Sequence, residues 1–299
     1  MKKLLISILF VLVGLFAVDR AGGFAMQWVY DNTDNYIAEK IRYLADEADE
    51  DVILLGTSRC NFHYVSPILG DSLGMTVYNG GVDGSESIYS HYISLSLLLE
   101  HHTPKIVCLE LMGNDFAKYE NQFEAISVFA PYVGRSAEAD SVFAEAGNLW
   151  KYKLSHLYRY NSLAVNNIGG MFFDSQEDDV CGYIPNPKPA FHPDKPFTLD
   201  LDIEVDQLKM HYLQKFIDVC RERDIKVVFA ISPMFCIARK SLYAPIDSLA
   251  KKNGIPFLDY HTSGLFLDHP EFYRDGGHLW DKGARLFTSI FAHDLKQLL

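Results

Sequence analysis

Val52-Ile53-Leu54-Leu55-Gly56-Thr57-Ser58-Arg59 is the stretch on which the fold turns. Four consecutive aliphatic side chains, with no polar residue to mark an outward face, read as a strand buried on both sides, the kind found in parallel sheets. Gly56 ends the run and permits a tight turn. Runs of the same character recur at 75–78, at 106–109 with Leu111, at 227–231, and more weakly at 256–258. Between them the apolar spacing becomes helical, over 34–48, 85–100, 205–223, 240–253 and 282–298. The alternation predicts an α/β fold with a mostly parallel, five-stranded sheet covered on both faces. Ligands of such sheets bind outside the carboxyl ends of the strands.

Composition narrows the chemistry. With 27 Lys and Arg against 39 Asp and Glu, the 299-residue chain carries a formal charge of −12, and no stretch is rich in Lys or Arg. A nucleic-acid partner therefore has no electrostatic footprint. A content of 48% hydrophobic and 22% charged residues excludes wholesale disorder. The five cysteines (60, 108, 181, 220 and 236) contain no C-x-x-C pair, which speaks against a zinc ribbon and a dense disulfide framework. Cys181 and Cys236 could pair and would then staple the middle of the chain to the end of the fourth strand. There is no His-Glu-x-x-His, and His101-His102 reads as a polar helix end, so neither a metal nor another cofactor is expected.

Met1-Lys2-Lys3 followed by the apolar run 4–18 has the form of a secretory leader. Asp19-Arg20 interrupts it, and a softer segment continues over 21–29. Residues 1–29 are read as a signal peptide or an N-terminal membrane anchor. The first would be cut near Ala21-Gly22-Gly23; in the second, Asp19 and Arg20 would snorkel to the far interface. The lysines stay cytoplasmic, so residues 30–299 are expected to work as one domain on the outer side of the membrane. Within it, residues of about 116–200 break the rhythm of strands and helices, first aromatic-rich and then proline-rich. That insertion is expected to be partly helical and to lie over the carboxyl edge of the sheet as a lid or substrate wall.

Four short segments fall at strand ends. Ser58 stands at a strand-to-helix turn, where its hydroxyl and its own N–H face the same side. Gly84, in Asn79-Gly80-Gly81-Val82-Asp83-Gly84, is read as immediately preceding a helix and so as having a free N–H donor. Asn114, in Met112-Gly113-Asn114-Asp115, offers an amide that could donate to a developing oxyanion. Asp275-Gly276-Gly277-His278 spaces a carboxylate and an imidazole so that Asp275 can take the Nδ1–H and leave Nε2 as a base. Each segment alone reads equally as a loop, a turn or a cap.

Their order, Ser then Gly then Asn then Asp-x-x-His, resembles the SGNH/GDSL hydrolase superfamily. The first block, usually Gly-Asp-Ser, is here Gly56-Thr57-Ser58-Arg59. The leading glycine of the third block is replaced by Met112, and the last block is followed by Leu279 and Lys282-Gly283-Ala284. The resemblance covers roughly 50–115 and 205–295. It implies a flavodoxin-like three-layer α/β/α sandwich and ester chemistry. Ser58 would be the nucleophile, His278 the base, Asp275 its orienting carboxylate, and the Ser58 and Gly84 N–H groups with the Asn114 amide the oxyanion hole.

The Gly-x-Ser-Arg form and the N-terminal segment resemble the envelope-associated branch tied to alginate O-acetylation and D-alanine transfer. That implies an acylated glycan or small ester as substrate, with a multi-pass membrane acyltransferase as a possible partner. A hydrolase and an O-acyltransferase would share the acyl-Ser58 intermediate. A non-catalytic envelope interaction module is the reading from outside enzymology, and a phosphate-binding module at Gly84 would have only Arg59 as its cation. A histidine base predicts activity that rises with pH between about 6 and 7.

Overall fold

The computed structural model describes residues 1–84, 87–173, 179–199 and 203–299, with Asn114 described in its backbone only. Helices α1 (Lys2–Asn32) and α2 (Tyr36–Asp46) precede the first strand, β1 (Val52–Leu55). Next come α3 (Ser58–His63), α4 (Ser66–Leu73), β2 (Val77–Asn79), α5 (Ile88–Leu98) and β3 (Ile106–Glu110). The middle stretch holds α6 (Ala137–Glu145), α7 (Leu149–Leu154), α8 (Ala164–Gly170) and β4 (Phe197–Leu199). The chain ends with α9 (Gln207–Glu222), β5 (Lys226–Ile231), β6 (Cys236–Ala238), α10 (Ala244–Asn253), β7 (Phe257–Asp259) and α11 (Asp281–Leu298).

Five strands form one parallel sheet in the order β2-β1-β3-β5-β7. Because side chains alternate along a strand, each apolar run supplies two faces. Ile53, Leu55, Val107, Leu109, Phe229 and Ile231 pack with α2, α5, α9 and α10. Val52, Leu54, Ile106, Cys108, Val228 and Ala230 pack with α4 and α11 through Leu69, Phe287, Phe291 and Leu295. This is the three-layer α/β/α sandwich, and it explains why the strands carry no polar alternation. Every residue of α5 is buried, as befits a helix that is apolar on all sides.

Several expected boundaries shift. The second strand is Val77–Asn79 rather than 75–78, since Met75 follows the left-handed Gly74 that caps α4. The helix expected from 85 begins at Ile88, capped by Ser87, whose hydroxyl accepts from the Tyr89 N–H at 3.3 Å; residues 85–86 lie outside the described set. Gly84 thus does not open the helix. The five thiols are free, Cys181 at the surface and Cys236 buried, so no bridge staples the insertion.

The insertion divides into two halves. Up to residue 173 it lies against helices, not over the carboxyl edge as expected. α6 buries Ala139, Val142 and Phe143 in the α5 side of the core, and the segment around Tyr158 and Tyr160 packs on α1. Of the rings in this half, Tyr152 sits 5.1 Å from Phe143 and Tyr160 6.3 Å from Tyr30, whereas Trp150, Phe172 and Phe173 are exposed. Among the described residues of its second half, 179–199 reach the functional edge. There Asn186 donates to the Leu279 carbonyl at 2.8 Å and accepts from the Asp281 N–H at 2.9 Å. β4 pairs with β6 in a second, two-stranded parallel sheet that the sequence did not announce.

Candidate active site

The carboxyl ends of β1, β3 and β5 converge with the loop before α11. Gly56 is required there by space: a Cβ on it would meet the Cβ of Cys60 at 2.7 Å and that of Glu110 at 2.9 Å. The turn is therefore tight enough to make Ser58 the first residue of α3. Ser58 is only 6% exposed, more enclosed than a residue at an open turn. Its Oγ lies 2.9 Å from His278 Nε2. His278 Nδ1 in turn lies 3.0 and 3.1 Å from the two Asp275 carboxylate oxygens. Serine, imidazole and carboxylate form one continuous chain.

Asp275 is held by the backbone as well as by the ring. Its Oδ1 accepts the Gly277 N–H at 2.8 Å and the His278 N–H at 2.9 Å, so the loop closes on its own carboxylate. Burial pushes this carboxyl up, but the hydrogen bond and charge of His278, with the two N–H groups, outweigh it and hold it below its ordinary value. Asp275 is consequently ionised wherever an imidazole titrates, and the acid side of a pH profile belongs to the base alone. The side chains of Asp275 and His278 are 53% and 31% exposed, so water screens their mutual charge and geometry matters more.

Two departures from the usual blocks find partners. Met112, in place of glycine, accepts the Thr57 hydroxyl on its sulfur at 3.0 Å, joining the third block to the residue before Ser58. Arg59 is fully buried; it donates to the Leu111 carbonyl at 2.7 Å and pairs with Glu110 at 3.3 Å. It is thus committed inside the protein, which removes the one cation of a phosphate-binding reading. Asp115 accepts the Met112 N–H at 2.6 Å and meets His91 Nε2 of α5 at 3.1 Å, fixing the turn that carries Asn114. The Asn114 side chain lies outside what is described. Gly84 is exposed, with φ of +72°, and is separated from the α5 cap.

Sequence reading missed a buried network that backs the serine and the histidine. Glu110 accepts from the Ser232 N–H at 3.1 Å, from its hydroxyl at 2.7 Å, and from the Tyr64 hydroxyl. Ser232 Oγ meets His63 Nδ1 at 2.8 Å, and His63 Nε2 accepts the Leu279 N–H at 2.9 Å. Burial, with the neighbouring His278 and Arg59, pushes the His63 imidazole well below its ordinary value. The neutral ring can accept at Nε2 only if Nδ1 carries the proton, so the hydrogen-bond direction runs from Leu279 through His63 and Ser232 to Glu110. This clamps the residue next to His278 onto α3. The hint in the sequence was a glutamate closing an otherwise apolar strand.

His63→Phe keeps a ring but leaves the Leu279 N–H and the Ser232 hydroxyl without this partner. The expected result is a fall of roughly 10²-fold in kcat, the scale of a misplaced catalytic group, in protein that retains its near-UV circular dichroism. An unchanged kcat would show that the clamp is not needed for alignment.

No family model matches the chain, and no curated protein does. Among solved structures, a GDSL-like lipase of Bacteroides thetaiotaomicron is 15% identical with a TM-score of 0.39, over 88% of this chain and 100% of that one. A candidate acylhydrolase of Bacteroides fragilis is 13% identical with a TM-score of 0.40, over 85% and 96%. A candidate platelet activating factor from Streptococcus pneumonia is 10% identical with a TM-score of 0.44, over 93% and 98%. All three TM-scores lie below 0.5, so the chemistry is argued from the geometry of the site.

Proposed function

We propose that this chain is a serine esterase that cleaves acyl esters through an acyl-Ser58 intermediate. The observation that carries the reading is the Ser58–His278–Asp275 chain, with contacts of 2.9 and 3.0 Å, at the carboxyl edge of a parallel sheet. His278 Nε2 takes the Ser58 proton as Oγ attacks the ester carbonyl. The Ser58 N–H, with Gly84 and Asn114 as further donors, would meet the oxyanion. The protonated ring then gives its proton to the leaving alcohol. A second cycle, with an incoming hydroxyl in place of the serine, frees Ser58.

The finer reading is an extracytoplasmic enzyme acting on O-acyl groups of envelope polysaccharides. It is supported by Lys2-Lys3 and by α1, which is as a whole long and apolar enough to cross a membrane and whose first half faces solvent. If the incoming hydroxyl belongs to a sugar rather than to water, the same intermediate makes the protein an O-acyltransferase working beside a membrane-bound acyl donor. A non-catalytic module would leave Ser58 inert. Treatment of the full chain in detergent with a fluorophosphonate separates these. Expected is a single adduct that maps to Ser58 and is absent from Ser58→Ala. No adduct on folded protein would overturn the enzymatic reading.

A further inference from the structure

Helix α1 changes character at a polar clamp. Its first half, residues 4–18, is exposed and apolar. At Asp19 it meets the insertion: the carboxylate accepts the His156 N–H at 3.0 Å, the Leu157 N–H at 3.3 Å and the Ser155 hydroxyl. Arg20 donates to the Leu154 carbonyl at 3.1 Å. Two glycines seal the contact. A Cβ on Gly23 would lie 2.4 Å from that of His156, and one on Gly22 would lie 3.3 Å from the Leu157 side chain. Asp19 and Arg20 are therefore engaged with protein rather than spread at a lipid interface, and residues 154–157 are fixed at their level.

That level matters because of length. Fifteen apolar residues make about 22 Å of helix, and a hydrocarbon core is about 30 Å thick. A bilayer crossed by residues 4–18 thins or draws flanking apolar groups into its boundary, and the groups beside Asp19 belong to α7 and the turn after it. The outward side chains there are Trp150, 62% exposed, Leu154, 67%, and Leu157, 42%. Between them stand Lys151, whose ammonium lies 6.0 Å from the Trp150 ring centre, and Lys153, which is paired with Asp140. Aromatic, aliphatic and basic side chains in one short segment are the composition of an interfacial surface, and this one sits on a chain of net charge −12.

Resting on the anchored reading of α1, we propose that α7 and the Leu154–Leu157 turn dock on the bilayer that α1 enters. Trp150, Leu154 and Leu157 sit at the boundary of headgroups and acyl chains, and Lys151, with Lys153 and its Asp140 partner beside it, faces anionic headgroups. The catalytic domain is then seated on the membrane rather than hung from a flexible leader.

The test uses the full chain in vesicles of phosphatidylcholine and phosphatidylglycerol, doped with a phosphatidylcholine that carries a photoreactive diazirine near the carbonyl end of its acyl chain. Adducts are mapped by peptide mass spectrometry. Expected are adducts on α1 and on residues 149–158, the latter falling several-fold in Trp150→Ser/Leu154→Ser while those on α1 persist. Adducts on α1 with none on 149–158 would overturn the docking and leave the anchor standing, the result expected if another protein or a second copy covers this face. A chain that floats free of the vesicles, with no adducts at all, would overturn the anchor and the docking together. Loss of the phosphatidylglycerol should cut the yield at 149–158 several-fold, and an equal yield in neutral vesicles would overturn the role given to the lysines.

Discussion

Ser58→Ala is expected to lower ester hydrolysis by about 10⁶-fold in kcat, the scale seen when the nucleophile of a triad is removed. The loss should be confined to chemistry. Ser58 Oγ has His278 as its side-chain partner, and the void left is that of one oxygen beside a half-exposed ring, so unfolding by urea should be little changed. The three groups act as a unit, and His278→Ala added to Ser58→Ala should therefore cost little more. Residual catalysis over water, from oxyanion donors and substrate binding, should be shared by both variants. The decisive assay is hydrolysis of a p-nitrophenyl acyl ester by wild type, the two single variants and the double variant. A Ser58→Ala enzyme within tenfold of wild type would remove Ser58 from the mechanism.

Asp275→Asn is the second large effect, expected at about 10⁴-fold in kcat. The carboxylate accepts from His278 Nδ1 and from two backbone N–H groups. An amide can still satisfy the backbone with its oxygen, which brings its NH₂ toward the ring. Nδ1 must then accept, the proton moves to Nε2, and the base faces Ser58 with no lone pair. Water reaches both side chains, so the loss follows from the tautomer more than from missing charge. In wild type, kcat/KM should fall tenfold per pH unit on the acid side, where the base is protonated. The sign is fixed: the base must be neutral to take a proton, and Asp275, held below its ordinary value, stays ionised throughout. A slope steeper than one proton would mean that a second group titrates with the base, and a KM effect in Asp275→Asn without loss of kcat would refute the tautomer argument.

The sheet was legible because its signal is local. Four or five apolar residues in a row at 52–55, 106–109 and 227–231 read as strands covered on both faces, and each is a strand of the parallel sheet. Ser58 was legible at a strand end, and Asp275 and His278 as a pair just before the final helix, and the structure brings them together. The Arg59–Glu110–Ser232–His63 network was not, because its members stand on three segments up to 173 residues apart, and their burial is a property of packing. Gly84 illustrates the converse. A glycine before a helical pattern invites a cap, yet Ser87, with a hydroxyl able to accept from an N–H, takes that place. The aromatic content of the insertion could not locate it, because tyrosines pack on one another as readily as on a ligand. Tyr30, Tyr132 and Tyr160 form such a group between α1 and the domain.

The seal at Gly22 and Gly23 also sets an order of events. A leader peptidase reads its site as an extended strand laid into a groove, whereas here those glycines are helical and pressed against His156 and Leu157. On the anchored reading, folding of the domain should shut out an enzyme that cuts there. Detachment and folding should then compete in time, and a chain that folds first is expected to keep residues 1–29. Pulse-chase labelling in growing cells would show this as a single band of constant full length; a shorter product accumulating from folded precursor would refute it.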